Sequence, residues 1–186
     1  KDVDVLLGPT INIHRHPLGG RHFESFSEDP YLTGRIAIEY VNGVQSKNVA
    51  ACLKHFVGND TEYERYAVSS NIDEKTLREI YLLPFEMAIK EANAKVVMSA
   101  YNKLNNIYCS SHRNLLISIL KEEWDFDGYV VSDWGAALET AENANGGLDL
   151  EMPGPAKNWG KLLKDEVDNS NVSIQEINNK VRRILH

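Results

Sequence analysis

The residues of this chain that can do chemistry cluster at the ends of apolar stretches. Most informative is Val130-Val-Ser-Asp-Trp134, where a β-branched run leads straight into a carboxylate and a large aromatic. Parallel α/β folds, barrels above all, place their chemistry at the carboxyl ends of buried strands, which makes Asp133 a candidate catalyst. The same residue could equally cap a helix beginning near Ala136, a common use of Asp. Lys54-His55 ends a second apolar run and offers two donors. Adjacent strand residues point to opposite faces, so only one of this pair can face a site unless the strand bends. A surface Lys beside a hydrogen-bonded core His is the alternative.

Arg21, in Leu18-Gly-Gly-Arg-His-Phe-Glu24, lies on a Gly-containing loop, where a planar fork of donors can meet hydroxyls or a carboxylate. Arg65 has the same capacity, and either can also be a solvated loop cation. Tyr101, at a third exit, can donate to an anion such as Asp133 or simply pack at the rim. Trp134 offers a flat platform suited to the C–H face of a sugar, or to core packing. A rival chemistry is a metal-dependent hydrolase, because His14-Arg-His16 has the H-x-H pattern of barrel metal ligands, with Lys54, His55 and Asp133 as further ligands. Pro17 and the Gly-rich stretch that follow speak against it, and His22, His112 and His186 fall away from clean strand exits. No metal and no cofactor are expected.

These groups need strands and helices in alternation to position them. Val3 to Ile13 is β-rich, and Asp29 caps a helix from about Pro30 to Val44, with Pro30 in its first turn. Val49 to Phe56 is a second strand, and Asp73 opens a long amphipathic segment to Ala92 that Pro84 kinks or splits. Lys95 to Tyr101 reads as a third strand, Asn114 to Trp124 as a helix and Gly128 to Ser132 as a fourth strand. A helix from Ala136 to Asn145 and a short strand from Leu148 to Met152 follow. Two helices close the chain, the last bearing the capping box Ser173-Ile-Gln-Glu176.

Strands alternating with helices imply a mainly parallel sheet, doubly wound or closed into a barrel. Every strand delivers polar or aromatic side chains at the same end: Asn12 to Arg15, Lys54-His55, Ser99 to Asn102, Ser132 to Trp134, and Asp149 to Glu151. That convergence favours a parallel (β/α)8 TIM-type barrel, whereas a doubly wound sheet uses one or two exits and a Gly-rich phosphate loop that this chain lacks. About five strands are readable where a barrel has eight in about 250 residues. Residues 1–186 are therefore expected to be a single, incomplete barrel domain, its later strands present and its first strands missing.

Composition narrows the partners. A 186-residue chain with 42% hydrophobic residues can fill one core, and a formal charge of -7 argues against nucleic acid or an anionic membrane. No apolar run approaches the roughly 18 residues of a membrane span. The chain opens with Lys1-Asp-Val-Asp4 and shows neither an initiator Met nor a signal peptide, so upstream sequence is expected to have been removed or left out, and the compartment stays open. Its two cysteines, Cys52 and Cys109, form no framework.

Four blocks then stand out together: Gly20-Arg-His-Phe-Glu-Ser-Phe-Ser-Glu-Asp-Pro30, Lys54-His-Phe-Val-Gly-Asn59, Val97-Met-Ser-Ala-Tyr-Asn102 and Gly128-Tyr-Val-Val-Ser-Asp-Trp134. In order and spacing they resemble glycoside hydrolase family 3, in its β-glucosidase branch. The resemblance implies a retaining, exo-acting hydrolase of terminal β-D-glucosyl residues, with Asp133 as the nucleophile of a covalent glycosyl-enzyme intermediate. Arg21, Lys54, His55 and Arg65 would hold sugar hydroxyls, Met98 would line the pocket, Tyr101 would sit against the nucleophile and Trp134 would form a wall. In the family the acid/base of β-glucosidases comes from an α/β sandwich domain after the barrel, which is expected to lie outside residues 1–186, as is a further sugar-binding Asp that in the family precedes this region. The acetylglucosaminidase branch instead uses a His in a G-H-G context, and Phe56-Val-Gly-Asn-Asp-Thr-Glu62 has none. A second possibility is a non-catalytic, sugar-binding half that needs partner segments.

Overall fold

The computed structural model describes residues 3–186. Its framework is a parallel sheet of β1 (Val5–Leu6), β2 (Ala50–Phe56), a strand at Val96–Ser99 and a strand at Tyr129–Ser132, side by side in chain order. In chain order the other short strands are β3 (Ser69–Ser70), β5 (Lys103–Leu104) and β6 (Ile107–Tyr108), so the third and fourth sheet strands are β4 and β7. Leu150 adds one parallel bridge beyond β7, through Val131. The sheet is open, with four strands where a closed barrel has eight.

Helices cover one face. Asp29 accepts the amides of Tyr31 and Leu32 and so caps α1 (Pro30–Gln45), with Pro30 where a missing N–H costs nothing. Gly34 lets α1 approach its neighbour, since a Cβ there would lie 2.5 Å from Met87 Sδ. After Asp73 come α2 (Glu74–Thr76), a wider π-helical stretch at Leu77–Leu82 and α3 (Leu83–Ala92). The widening directly precedes Pro84, whose ring and missing N–H disturb the turn before it. A second π-helical segment, Asn114–Glu123, lies between β6 and β7. The chain ends with α4 (Ala141–Gly146), α5 (Lys161–Asp168) and α6 (Ile174–Leu185), the last capped by Ser173 Oγ on the Glu176 amide.

The alternation of strand residues separates two apolar clusters. Ala51, Leu53, Val97 and Val130 join the large core under the helices, whereas Cys52, Val96, Met98 and Val131 form a small cluster on the other face. Asp133 continues the second series two residues beyond Val131, so the period of the strand itself carries it to the inner face.

Four local expectations change. The β-rich stretch Val3 to Ile13 pairs as a strand only at Val5–Leu6, plus a bridge from Thr10 to Lys54, because Pro9 interrupts the donor series. The helix expected from Ala136 begins at Ala141; before it, Gly135 takes φ +76° and the Gly135 and Ala136 amides bond to the carbonyls of Met152 and Asp133. Asp133 therefore caps no helix. The strand expected at Leu148 to Met152 is reduced to Leu150, with Pro153 close behind. Finally, β3, β5 and β6 make an unexpected second sheet, parallel for β3 with β5 and antiparallel for β5 with β6. Its signal was present: Asn105-Asn106 is a two-residue turn with φ of 49° and 72°, the left-handed geometry that tight hairpins require.

Candidate active site

The ends of β2, β4 and β7 bring the candidate residues together. Asp133 is 8% exposed. Its Oδ1 accepts the Trp134 amide at 2.8 Å, while Oδ2 is buried and has no hydrogen-bond partner. His55 Nε2 lies 3.5 Å from that oxygen. Burial pushes the Asp133 carboxyl above its ordinary range, and the Trp134 amide, Tyr101, Arg21 and Arg65 pull it partly back.

Asn12 sets the state of His55. Its Oδ1 accepts the His55 backbone amide at 2.8 Å and lies 3.1 Å from ring Nδ1, while its Nδ2 donates to the His55 carbonyl at 2.9 Å. A proton on Nδ1 satisfies that contact and leaves a lone pair on Nε2, facing Asp133. Burial, and then the positive charges of Arg21 and Lys54, push the imidazole down to about 3, so His55 is neutral at pH 7. Both members of the Lys54-His55 pair reach the inner side because the β2–β4 ladder is irregular between Leu53 and Phe56, which supplies the bend that strict alternation forbids.

The cations are held by carboxylates. Glu24 accepts from Arg21 Nε, accepts the Thr10 hydroxyl at 2.6 Å and lies 3.7 Å from Lys54 Nζ. Glu62 accepts from Arg65 Nη1 at 2.7 Å and sits 4.0 Å from Arg21 Nη1. The Arg65 guanidinium lies over the ring of Tyr101, 4.5 Å from its centroid. Tyr101 Oη donates to the Trp134 carbonyl at 3.0 Å, and burial together with the Asp133 charge drives its phenol upward, keeping it a donor. Met98 is buried in the inner cluster beneath this group, and Trp134 remains 40% exposed at its edge.

Other exits serve the fold. Asp149 accepts from Lys121 Nζ at 2.7 Å and from the Val130 amide at 2.8 Å; Glu151 accepts the amides of Lys157, Asn158 and Trp159. His16 is exposed, and the His14 ring lies 4.6 Å from that of His22. Among the described residues no group of three His, Cys, Asp or Glu side chains is arranged to hold a metal ion. Three residues acquire interest only in the structure. Asn59 and Asp60, with buried polar atoms that lack partners, line a small cavity with Thr10, Asn12, Arg21 and His55, and burial pushes Asp60 up to about 6. Glu24 sits inside a motif that drew attention to Arg21; an acid three residues after an Arg was the signal.

The chain is similar to known proteins in sequence and in fold. A beta-glucosidase from Rhizobium radiobacter is 55% identical over 185 residues, 100% of this chain and 23% of the relative. The thermostable beta-glucosidase B of Acetivibrio thermocellus is 50% identical, again over 100% of this chain and 24% of the relative. The structure of beta-glucosidase 3B from Thermotoga neapolitana in complex with alpha-D-glucose superposes with a TM-score of 0.95 at 45% identity, over 98% of this chain and 27% of that one. The chain thus spans about a quarter of the length of these relatives. The family model for the glycosyl hydrolase family 3 N terminal domain matches residues 1–186, and the chain belongs to that family.

Proposed function

We propose that the chain carries the nucleophile and the innermost sugar-binding groups of a retaining, exo-acting β-glucosidase, and that it works within a longer polypeptide. The observation that carries this is Asp133 Oδ2, buried and unpartnered, with Tyr101, Arg21 and Arg65 near enough to favour its charged form. Neutral His55 presents a lone pair to the same oxygen across 3.5 Å. A sugar hydroxyl can donate its one proton to His55 Nε2 and leave the Asp133 oxygen free to react.

In this mechanism Oδ2 attacks the anomeric carbon, the glycosidic C–O bond breaks, and an acid protonates the departing oxygen. Water then attacks the same carbon, giving its proton to the conjugate base of that acid, and the ester bond to Asp133 breaks, so the sugar leaves with retained configuration and both groups are restored. Retention needs the two carboxyls about 5 to 5.5 Å apart. Glu24, Glu62, Asp149 and Glu151 are already committed to cations or backbone amides, and the family resemblance implies that the acid comes from an α/β sandwich domain after the barrel. Residues 1–186 act as the later part of a (β/α)8 barrel domain whose first strands come from the same polypeptide.

A 2-deoxy-2-fluoro-β-glucosyl fluoride tests the assignment, because its intermediate turns over slowly. Peptide mass spectrometry of the full-length enzyme is expected to find the sugar ester on Asp133. An ester on any other residue overturns it.

The committed carboxylates also favour a narrower reading, that this chain alone is a sugar-binding half without catalysis. Both readings predict no hydrolysis of an aryl β-glucoside by the isolated chain, so robust hydrolysis there would refute the half-site and place the acid within residues 1–186. The two are separated in the full-length enzyme, where only the first expects Asp133→Ala to abolish turnover, and chelation is expected to leave any activity unchanged.

A further inference from the structure

Arg21 and Lys54 come from different parts of the fold, a loop and the end of β2, yet both have free donors. Arg21 spends only its Nε–H on a protein partner among the described residues, and Lys54 Nζ makes no hydrogen bond there. Two cations do not gather unaided beside a third donor, because their mutual repulsion in a half-buried site costs energy. Glu24 lies between them. Oε1 accepts Arg21 Nε–H, which leaves the two terminal nitrogens of the guanidinium without a hydrogen bond to the described residues, Nη1 lying 4.0 Å from Glu62 Oε1; Oε2 faces Lys54 Nζ at 3.7 Å. The carboxylate is itself fixed, since Oε2 accepts the hydroxyl of Thr10 at 2.6 Å, and Thr10 is buried and bridged to Lys54 through the backbone. Burial would push the Glu24 carboxyl up, but the bonds from Arg21 and Thr10 outweigh it and hold it below its ordinary range.

We propose that Glu24 is a positioning residue of the sugar site, aiming the terminal nitrogens of Arg21 and the ammonium of Lys54 at hydroxyls of a bound glucosyl unit. This rests on the assignment of Asp133 as the nucleophile of a β-glucosidase. Glu24 touches no sugar; it acts through the two cations. A carboxylate in this role differs from an ordinary surface ion pair, which contributes little, because losing it disturbs specific substrate contacts and not folding alone.

The test uses the full-length enzyme with 4-nitrophenyl β-D-glucoside and its monodeoxy analogues. Arg21→Lys and wild type together identify the hydroxyl that Arg21 holds. Glu24→Gln is expected to lower kcat/KM on the parent glucoside by about tenfold or more. It is also expected to shrink the penalty for deleting that hydroxyl by about fivefold, since the contact is already impaired. Thr10→Val, which keeps both charges, repeats the same hydroxyl pattern with a loss of about threefold and serves if Glu24→Gln does not fold. Equal losses on every analogue, or kcat/KM within about twofold of wild type in the folded variants, overturn the proposal. Asp133→Ala separates the two failures: if it retains turnover, the glucosidase reading falls and takes this one with it; if it is inactive while Glu24→Gln behaves as wild type, Glu24 alone is rejected.

Discussion

The two faces of the parallel sheet are built from neighbouring residues but do different work. On the helix side, Leu53, Val97 and Val130 enter a core that continues through Phe56, Phe85, Leu115 and Leu120. On the inner side, Cys52, Val96, Met98 and Val131 form a cluster of four buried residues, and polar groups take over where it ends. One face is finished within this chain. The other is a thin apolar floor beneath charged groups, and in a closed barrel further strands would complete it. Stability therefore comes mainly from one side, and the proposed chemistry belongs to the other, although the side chains alternate along the same strands.

The largest expected effect bears on the inner face. Asp133→Asn removes the proposed nucleophile with almost no change of shape, and kcat/KM of the full-length enzyme should fall by about 10⁴-fold or more in steady-state assays. Next comes Arg65→Lys, which keeps the charge but loses the fork that meets Glu62 and lies over Tyr101; a loss of about 10²-fold is expected, with the melting temperature little changed. Both variants set function against folding. If either unfolds the chain, the division between the faces is wrong.

A sharper comparison uses two identical residues side by side. Val97 is buried on the helix side and Val96 on the inner side, at 0% and 1% exposure. Val97→Ala should cost about 2 kcal/mol in urea unfolding, because the packed core cannot collapse around the lost methyls. Val96→Ala should cost about half as much. Equal costs would mean that the inner face is as tightly enclosed as the other.

The smallest effect is a pH slope. His55 is held near 3 in the fold against an ordinary 6.5, so the unfolded chain binds more protons between those values. Stability from this group is complete above pH 6.5 and is lost as pH falls toward 3, at up to about 1.4 kcal/mol per pH unit. Asp133 and Asp60, both raised by burial, act in the opposite sense, Asp60 from its ordinary 3.8 up to about 6. The informative quantity is thus the difference between wild type and His55→Gln, whose unfolding free energy should fall less from pH 6 to pH 4. Parallel curves would show that His55 is not the buried neutral base inferred here.

Much of this molecule is written locally. Asp29 with Pro30, Asp73, and Ser173 with Glu176 each announced a helix start, because capping is settled by groups within a few residues of one another. The strand exits were legible for a similar reason: an apolar β-branched run followed by Asp133 or by Lys54-His55 is visible in the chain itself. Less visible was how far each strand pairs. Val3 to Ile13 has strand composition throughout, yet its ladder is reduced around Pro9 to a single bridge from Thr10, and Leu148 to Met152 keeps a single bridge. Pairing depends on a neighbour's register, and composition carries no record of it.

By itself the sequence determined the alternation of strands and helices, the chemical types at the strand ends and the family motifs, all of which depend on residues close together in the chain. Only the tertiary structure decided that Asp133 caps no helix, that an irregular β2 turns both Lys54 and His55 inward, and that Asn12 sets the tautomer of His55 from 43 residues away. It also decided that Glu24 stands between Arg21 and Lys54. Burial, electrostatic shifts and hydrogen-bond partners depend on distances in space, and those exist only once the strands have paired.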